Sequence, residues 1–261
     1  MKDLQMVKVG KVEIGSGIPK ICVSLMGSTK DEIIENAKVC AEKQPDLIEW
    51  RADFFQLVND FDAVKDVLEA ISPIIGDIPL IFTLRTTSEG GNQSISLKDY
   101  ISLHLFVSEM PYVHMVDIEY YMQPARMKEL MTQIKRNRKI VIASHHCITL
   151  TPPYSKMIKI LEEMELAGAD ITKLAVMPQR ESDVNNLMLT VNEGTCGRLS
   201  QPIIAMAMGP RGVVSRISGE VYGSSVTFGC IGEPSAPGQL SIDILREELN
   251  RIHEMVEKIT V

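Results

Sequence analysis

The chain has 261 residues, 45% of them hydrophobic, which is enough for one domain with one sizeable core. A net charge of −7 without a long basic face argues against a nucleic-acid partner. Five scattered cysteines without a CxxC pair fit a reducing compartment better than a disulfide framework or a structural zinc site. No segment has the apolar length of a signal-peptide core or a membrane span, so we expect a soluble, cytoplasmic protein with no membrane partner.

The first predicted element is a β-hairpin within residues 1–18. Val7–Gly17 alternates apolar and polar side chains around Gly10, as hairpin strands do. Eight short apolar runs follow in chain order: Lys20–Gly27, Leu47–Asp53, Pro79–Arg85, Tyr112–Glu119, Lys139–His146, Ala169–Met177, Pro202–Gly209 and Ser224–Gly232. Continuous runs of β-branched and apolar residues predict parallel strands that are buried on both faces.

The segments between these runs have helical character. Ser28–Glu32 offers an N-cap followed by acidic residues, Ser96–Met110 carries apolar residues at helical spacing, and Gln239–Lys258 is amphipathic. One strand and one helix recur about every 30 residues. The predicted fold class is therefore α/β, a single (β/α)₈ TIM barrel over residues 19–261, with the N-terminal hairpin closing its bottom. We expect residues 1–261 to form one domain.

Ionisable residues lie near the C-terminal ends of five predicted strands, where barrel enzymes place their catalytic side chains. They are Glu49, Arg51, Arg85, Asp117, Glu119, His146 and Lys173. A buried charge is costly unless it is paired or used, so a structural ion pair explains each residue taken alone. We prefer that explanation for Asp117 and Glu119. The convergence of the others on one mouth of the barrel indicates a functional site.

Lys173 is the sharpest candidate because it lies between apolar neighbours near the exit of its strand. Desolvation and nearby arginines disfavour an ammonium group, and a neutral amine can form an imine with a ketone. The alternative is a buried lysine paired with Glu49 or Glu119. The residue by itself leaves both interpretations open.

The two adjacent histidines of the fifth barrel strand are separated by strand geometry. Successive side chains point to opposite faces, so we expect His146 to face into the barrel and His145 to face the helical layer. Such a pair cannot chelate one ion from a strand, and no Hx₃H spacing exists. We therefore expect no metal site.

Two loops belong to the same mouth. Thr86–Gly91 contains glycines that let the backbone approach a ligand, and its Glu89 can reach inward. Glu233–Gln239 mixes rigid and permissive residues, which suits a lid, although an ordinary βα turn is the default interpretation.

Seven motifs closely resemble those of the type I 3-dehydroquinate dehydratases: EWR (49–51), FTLR…EGG (82–91), SHH (144–146), TKLA (172–175), MAMG (206–209), GxxSR (212–216) and SAPGQ (235–239). They occur in order and cover nearly the whole chain. The resemblance implies a shikimate-pathway lyase that carries out the syn dehydration of 3-dehydroquinate to 3-dehydroshikimate. It further implies no metal or organic cofactor and a homodimer.

The resemblance also implies roles for the matching positions. Lys173 would form an imine with the substrate ketone, His146 would act as general base and acid, and Glu89 would orient His146. Arg216 would hold the substrate carboxylate. The other implied substrate contacts are Ser24, Glu49, Arg51, Arg85, Ser235 and Gln239, with Met206 and Met208 as an apolar wall.

Three positions depart from the pattern of the family that the chain resembles. Cys147 follows His146 where an acidic residue is common, His145 stands where an aromatic residue is frequent, and Gly229 replaces alanine. Cys147 has the opposite parity to His146 on the strand and so should not face the substrate. We expect these changes to tune the surroundings of His146 without abolishing activity.

Two other functions are weighed against dehydration. A class I aldolase also places a lysine on strand six, but that function does not explain His146 and Glu89 together with SAPGQ. A non-catalytic, metabolite-binding relative would keep the binding residues and lose the chemical ones, whereas this chain contains both sets.

Overall fold

The computed structural model describes residues 4–259, which begin with an antiparallel hairpin of β1 (Val7–Val9) and β2 (Val12–Ile14). The barrel strands are β3 (Lys20–Leu25), β4 (Leu47–Arg51), β5 (Leu80–Thr83), β6 (Met115–Glu119), β7 (Ile140–Cys147), β8 (Ile171–Val176), β9 (Ile203–Ala207) and β10 (Val226–Gly229). They pair in parallel in the order β10-β3-β4-β5-β6-β7-β8-β9. Ser225, which immediately precedes β10, donates its N–H to the Ile203 carbonyl of β9 at 2.8 Å and joins the two ends of the sheet. The predicted barrel and hairpin are confirmed.

Helices cover the outside of the barrel. They are α1 (Lys30–Glu42), α2 (Phe61–Ile75), α3 (Leu97–Ser108), α4 (Pro124–Arg136), α5 (Tyr154–Leu166), α6 (Glu181–Glu193), α7 (Val213–Ile217), α8 (Gly219–Tyr222) and α9 (Ile242–Ile259). Side-chain caps explain the starts of α1, α2 and α3, because Thr29, Asp60 and Ser96 accept hydrogen bonds from N–H groups in the first turns of these helices. Within residues 4–259, no helix combines the length and the apolar character needed to cross a bilayer.

Two apolar cores lie on the two faces of the sheet. The outer core, between strands and helices, contains Trp50 and Phe82, whose rings meet edge-to-face with centroids 5.6 Å apart. The inner core fills the barrel with Cys22, Leu47, Ile81, Met115, Ile142, Ile171, Ile204 and Val226. Val9 and Ile14 of the hairpin belong to the same inner core. The hairpin therefore covers the N-terminal end of the barrel, as predicted.

Inward side chains change from apolar to polar two residues further along several strands. Met115 is followed by Asp117 on β6, and Ile171 by Lys173 on β8. Side chains two apart on a strand share a face, so these polar groups lie above the apolar layer, toward the strands' C-terminal ends. The pattern therefore places buried charge at one mouth of the barrel.

Candidate active site

A cavity of about 280 Å³ lies at the C-terminal mouth of the barrel. This volume lies near the lower end of the range for ligand pockets, roughly 300 Å³, and therefore suits a small metabolite. The predicted site residues that line the cavity are Glu49, Arg51, Arg85, Glu89, His146, Lys173, Met206, Met208, Arg216, Ser235 and Gln239. Ser24 is not among the lining residues; its hydroxyl donates to Glu49 Oε2 at 2.9 Å and accepts from the Ser235 hydroxyl at 2.9 Å. Ser24 thus connects a lining carboxylate to the loop above it.

Lys173 lies between two carboxylates. Its Nζ donates to Glu49 Oε1 at 3.1 Å and Asp117 Oδ2 at 3.0 Å, and lies 4.3 Å from the centre of the Phe228 ring. Burial alone would lower the pKa of Lys173, but the carboxylates of Asp117 and Glu49 outweigh it and raise that pKa above its ordinary value. Of the two interpretations that the sequence left open for Lys173, the resting state corresponds to the ion-paired lysine. The partners also differ in part from those expected, because Asp117 takes the place assigned to Glu119.

Arg85 is the centre of a buried ion-pair cluster. Its Nη2 donates to Asp117 Oδ1 at 2.8 Å, and its Nη1 donates to Glu119 Oε1 at 3.0 Å and Ser144 Oγ at 3.1 Å. Burial would raise the pKa of Asp117, but the cations of Arg85 and Lys173 hold it well below its usual range. The predicted ion pairing of Asp117 and Glu119 is confirmed. Asp117 has a second connection, because its other oxygen contacts Lys173.

His146 and Glu89 form a hydrogen-bonded pair at the cavity wall. Glu89 Oε2 accepts from His146 Nδ1 at 2.8 Å and from the His146 backbone N–H at 3.0 Å. Although burial opposes ionisation, hydrogen bonds from His145 and His146 lower the pKa of Glu89 to about 2. The carboxylate must then accept, which assigns the Nδ1 proton to His146 and leaves Nε2 as its basic nitrogen. Burial and Arg85 lower the pKa of His146 to about 4, so the ring is neutral at pH 7.

His145 lies on the opposite face of β7, as predicted, where its ring centre is 4.7 Å from that of Tyr121. Its Nδ1 nevertheless reaches Glu89 Oε1 at 2.9 Å. Cys147 shares this outward parity and packs against the outer core, away from the cavity wall. Strand alternation predicted the direction of both side chains. It did not predict that one carboxylate would hold two histidines from opposite faces.

Arg216 projects from α7 into the cavity without a carboxylate partner among residues 4–259. Its side chain is 1% exposed, Nη1 and Nη2 donate to the carbonyls of Phe228 at 3.4 Å and Pro237 at 3.1 Å, and Nε has no partner. Burial lowers the pKa of Arg216 to about 10, so the group remains a cation at neutral pH. An unneutralised buried guanidinium at a cavity wall is suited to binding an anion.

The loop Glu233–Gln239 is closed over the cavity. Gly209 donates its N–H to the Pro237 carbonyl at 3.0 Å, and the Gln239 side-chain amide donates to Ser235 Oγ at 2.9 Å. Gly238 has φ of 77°, and a Cβ there would lie 2.4 Å from the Gly209 carbonyl oxygen, so only glycine permits this approach. The loop therefore lies over the cavity, which both a lid and an ordinary βα turn would do.

Sequence reasoning did not name four of the lining residues, which are Ile148, Ala175, Met177 and Phe228. Three others, Gly90, Ala236 and Pro237, belong to the two loops expected at the mouth. Alternation from Val226 places Phe228 on the inward face, so that signal was present in the strand pattern. The contact between Asp117 and Lys173 had no such signal, because it depends on how β6, β7 and β8 are staggered. Among residues 4–259, no three His, Cys, Asp or Glu side chains are grouped to hold a metal ion.

Comparisons with known proteins agree on one family. The family model described as type I 3-dehydroquinase matches residues 21–256. A 3-dehydroquinate dehydratase of Clostridioides difficile is 40% identical over 96% of this chain and 98% of its own length, and one of Clostridium botulinum is 38% identical over 97% and 99%. A crystal structure of the type I enzyme from Clostridium difficile, with covalently modified comenic acid, superposes with a TM-score of 0.94 at 40% identity and covers 98% of this chain and 100% of that one. A 3-dehydroquinate dehydratase structure from Geobacillus kaustophilus gives a TM-score of 0.93 at 32% identity, with 97% and 99% covered.

Proposed function

The chain belongs to the type I 3-dehydroquinase family, and on that footing we propose that it dehydrates 3-dehydroquinate to 3-dehydroshikimate through an imine on Lys173. One observation carries the proposal for the site: a buried lysine, a neutral histidine and an unpaired arginine line the same small cavity. These three groups match the ketone, the proton to be moved and the carboxylate of the substrate.

Arg216 binds the substrate carboxylate in this proposal. The guanidinium is desolvated and has no acid partner in the described chain, so an incoming carboxylate supplies the missing charge. A planar guanidinium can donate to both oxygens of a carboxylate and thereby orient the ring as well as hold it. Met206 and Met208 provide an apolar wall for the ring carbons.

Lys173 attacks the C3 ketone, and water leaves to give an iminium. The resting ammonium group must first pass a proton to neutral His146, which costs energy because Glu49 and Asp117 favour the charged form. His146 returns this proton to the former ketone oxygen as it leaves as water. The same carboxylates then stabilise the iminium, since its positive charge lies where the ammonium charge was. The iminium withdraws electrons from C2 and makes the C2 proton acidic enough for a histidine to remove.

His146 acts first as the base and then as the acid of the dehydration. Its Nε2 takes the C2 proton to form an enamine, and the resulting imidazolium returns a proton to the C1 hydroxyl as it departs as water. Glu89 holds Nδ1–H and stabilises the transient imidazolium. Hydrolysis of the conjugated iminium releases 3-dehydroshikimate and regenerates the Lys173 amine, so protons and water balance over the cycle.

The remaining polar groups contact the ring hydroxyls. Ser235 and Gln239 approach from the closed loop, and Arg51 retains an Nη1 without a described partner, because Asp53 accepts from its Nε and Nη2 at 2.7 and 2.8 Å. Arg85 is engaged by acidic partners and Ser144, so its main role is to balance the carboxylates around Lys173. Glu49 contacts both Lys173 and the substrate.

We also infer a cytoplasmic homodimer. Cys22 and Cys40 are buried free thiols, as a reducing compartment favours, and the homodimer rests on the family resemblance. Size-exclusion chromatography with light scattering measures the oligomeric state directly.

Borohydride trapping tests the proposed chemistry. We expect protein incubated with 3-dehydroquinate and borohydride to carry a reduced adduct on the Lys173 peptide, and the ultraviolet-absorbing enone to accumulate without borohydride. Lys173→Ala should bind substrate but lose turnover by at least about 10⁴-fold, since the nucleophile is gone. Lys20→Ala, at the start of β3 and far from the mouth, is the matched control. An adduct without enone would indicate a different Schiff-base lyase, and normal turnover by Lys173→Ala would refute the mechanism.

A further inference from the structure

We propose that His145 is a positioning residue for the proton-transfer step: it holds the Glu89 carboxylate from outside the barrel and thereby sets the orientation and basicity of His146. The inference rests on the proposed function, because it concerns how that site moves protons. It assigns a role to a residue that does not line the cavity.

The geometry divides the two oxygens of Glu89 between the histidines. Oε1 accepts from His145 Nδ1 at 2.9 Å. Oε2 accepts from the ring and backbone of His146, and Arg85 Nη1 approaches it at 3.4 Å. Among residues 4–259, His145 is the hydrogen-bond partner of Oε1, whereas the other contacts all end on Oε2. Without His145, Oε1 loses this hydrogen bond and only the contacts on Oε2 hold the carboxylate in the geometry that fixes His146.

The surroundings of His145 make it a cation at neutral pH. Burial alone would lower its pKa, but contacts with Cys147 and Glu89 raise that pKa to about 9. On the outer side it faces Tyr121, which donates to Glu163 of α5 at 2.5 Å. The exposed Lys156 and Lys159 of α5 line the same outer groove. Glu89 is the carboxylate that His145 contacts directly.

The positive charge of His145, added to that of Arg85, weakens the attraction between the Glu89 carboxylate and the Nδ1 proton of His146. His146 is faced by Glu89, Arg85, Lys173 and Asp117, and burial together with Arg85 already lowers its pKa to about 4. His145 adds to this by offsetting part of the Glu89 charge. The arrangement keeps His146 neutral and ready to accept the C2 proton while its ring stays fixed.

Two substitutions of His145 separate its role in orienting the Glu89 carboxylate from the effect of its positive charge. His145→Asn keeps an N–H donor near the position of Nδ1 but removes the charge, and His145→Phe removes both while keeping a ring against Tyr121. We expect kcat to fall about tenfold in the Phe variant, with KM within about twofold because no substrate contact is lost. The Asn variant should restore most of kcat. In both variants the acid limb of kcat/KM should move upward by about one pH unit, since the charge that lowers the His146 pKa is gone.

His253→Asn is the matched control, because that histidine pairs with Glu220 at 2.7 Å away from the cavity. Circular dichroism and melting temperature establish that each variant is folded. An unshifted acid limb in the folded Asn variant would overturn the proposal, as would loss of kcat in the Phe variant without rescue by Asn. A wild-type protein that makes no enone would instead refute the proposed function, so the two failures are distinguishable.

Discussion

The two ends of the barrel interior differ in chemistry although the same strands build both. At the N-terminal end the inward residues are apolar, and Leu47, Met115 and Ile171 are fully buried. Two residues further along, the same strands place Glu49 and Lys173 at the mouth, each 3% exposed. One strand therefore contributes a packed side chain that stabilises the fold and then a charged side chain that does chemistry. The side chains are buried at both ends. The two ends differ because the buried groups at the mouth carry charges, which need compensating partners.

Some of the buried cations at the mouth have carboxylate partners, and one has none among the described residues. Arg85 and Lys173 contact carboxylates at 2.8–3.1 Å, whereas Arg216 has none among residues 4–259. Burying an ion pair destabilises the fold less than burying a single charge. The free protein is therefore destabilised at Arg216 until an anion binds there. At the N-terminal end, the inner core described above is built from apolar side chains. Substitutions at the two ends should thus have opposite effects on stability.

Leu47→Ala tests the N-terminal end and should give the largest change in folding free energy. Leu47 is fully buried, so truncation leaves a cavity and should cost about 2–5 kcal/mol, measured by urea denaturation. The volume-conserving Leu47→Met should cost less than about 1.5 kcal/mol. Both variants should keep kcat within about twofold where they are folded. Loss of kcat in folded Leu47→Ala would show that the two ends are not separable.

Arg216→Met tests the mouth and should act in the opposite direction on stability. Losing the charged hydrogen bonds to the substrate carboxylate should cost about 1.5–3 kcal/mol, or roughly 10- to 150-fold, chiefly in KM. The ligand-free variant should melt at a higher temperature, because a buried unpaired cation is gone. Arg211→Met, which removes an exposed arginine paired with Glu181 at 3.4 Å, is the matched control. A lower melting temperature for Arg216→Met would show that the charge is compensated in the free protein.

The pH dependence of kcat/KM also tests the mouth of the barrel, and near neutral pH it is the smallest of the expected effects. Neutral His146 is the active base, so kcat/KM should be level from about pH 6 to 8 and fall as pH drops through about 4, where the ring becomes protonated. Stability should also fall over this range, because the stability from neutral His146 is fully present above its ordinary pKa of 6.5 and is lost as pH falls through about 4. The stability from Glu89 is fully present above its ordinary pKa of 4.5 and is lost as pH falls toward about 2. Initial rates beside circular dichroism would check both. An acid limb that coincides with unfolding, and not with a titration in the folded protein, would contradict the assignment.

Much of this site was predictable because strand geometry is local. Alternation along β7 assigned His146 to the interior and His145 to the exterior, and the apolar setting of Lys173 marked it as unusual. The charge on Lys173 was left open by the sequence, since it depends on Asp117, a residue 56 positions away in sequence. Ser24, which the resemblance assigns to the substrate, hydrogen-bonds to Glu49 and Ser235 beside the cavity. Both features depend on which side chains meet across neighbouring strands and loops.

The sequence by itself determined the eight strand and helix units, the polar mouth and the set of residues suited to imine chemistry. Its periodicities of two and 3.6 residues specify which face of each element is buried. Only the tertiary structure decided that Lys173 rests as a cation between Glu49 and Asp117, that Arg216 has no carboxylate partner among residues 4–259, and that Glu89 holds two histidines. Protonation and pairing depend on distances between distant segments, which only barrel closure and strand stagger establish.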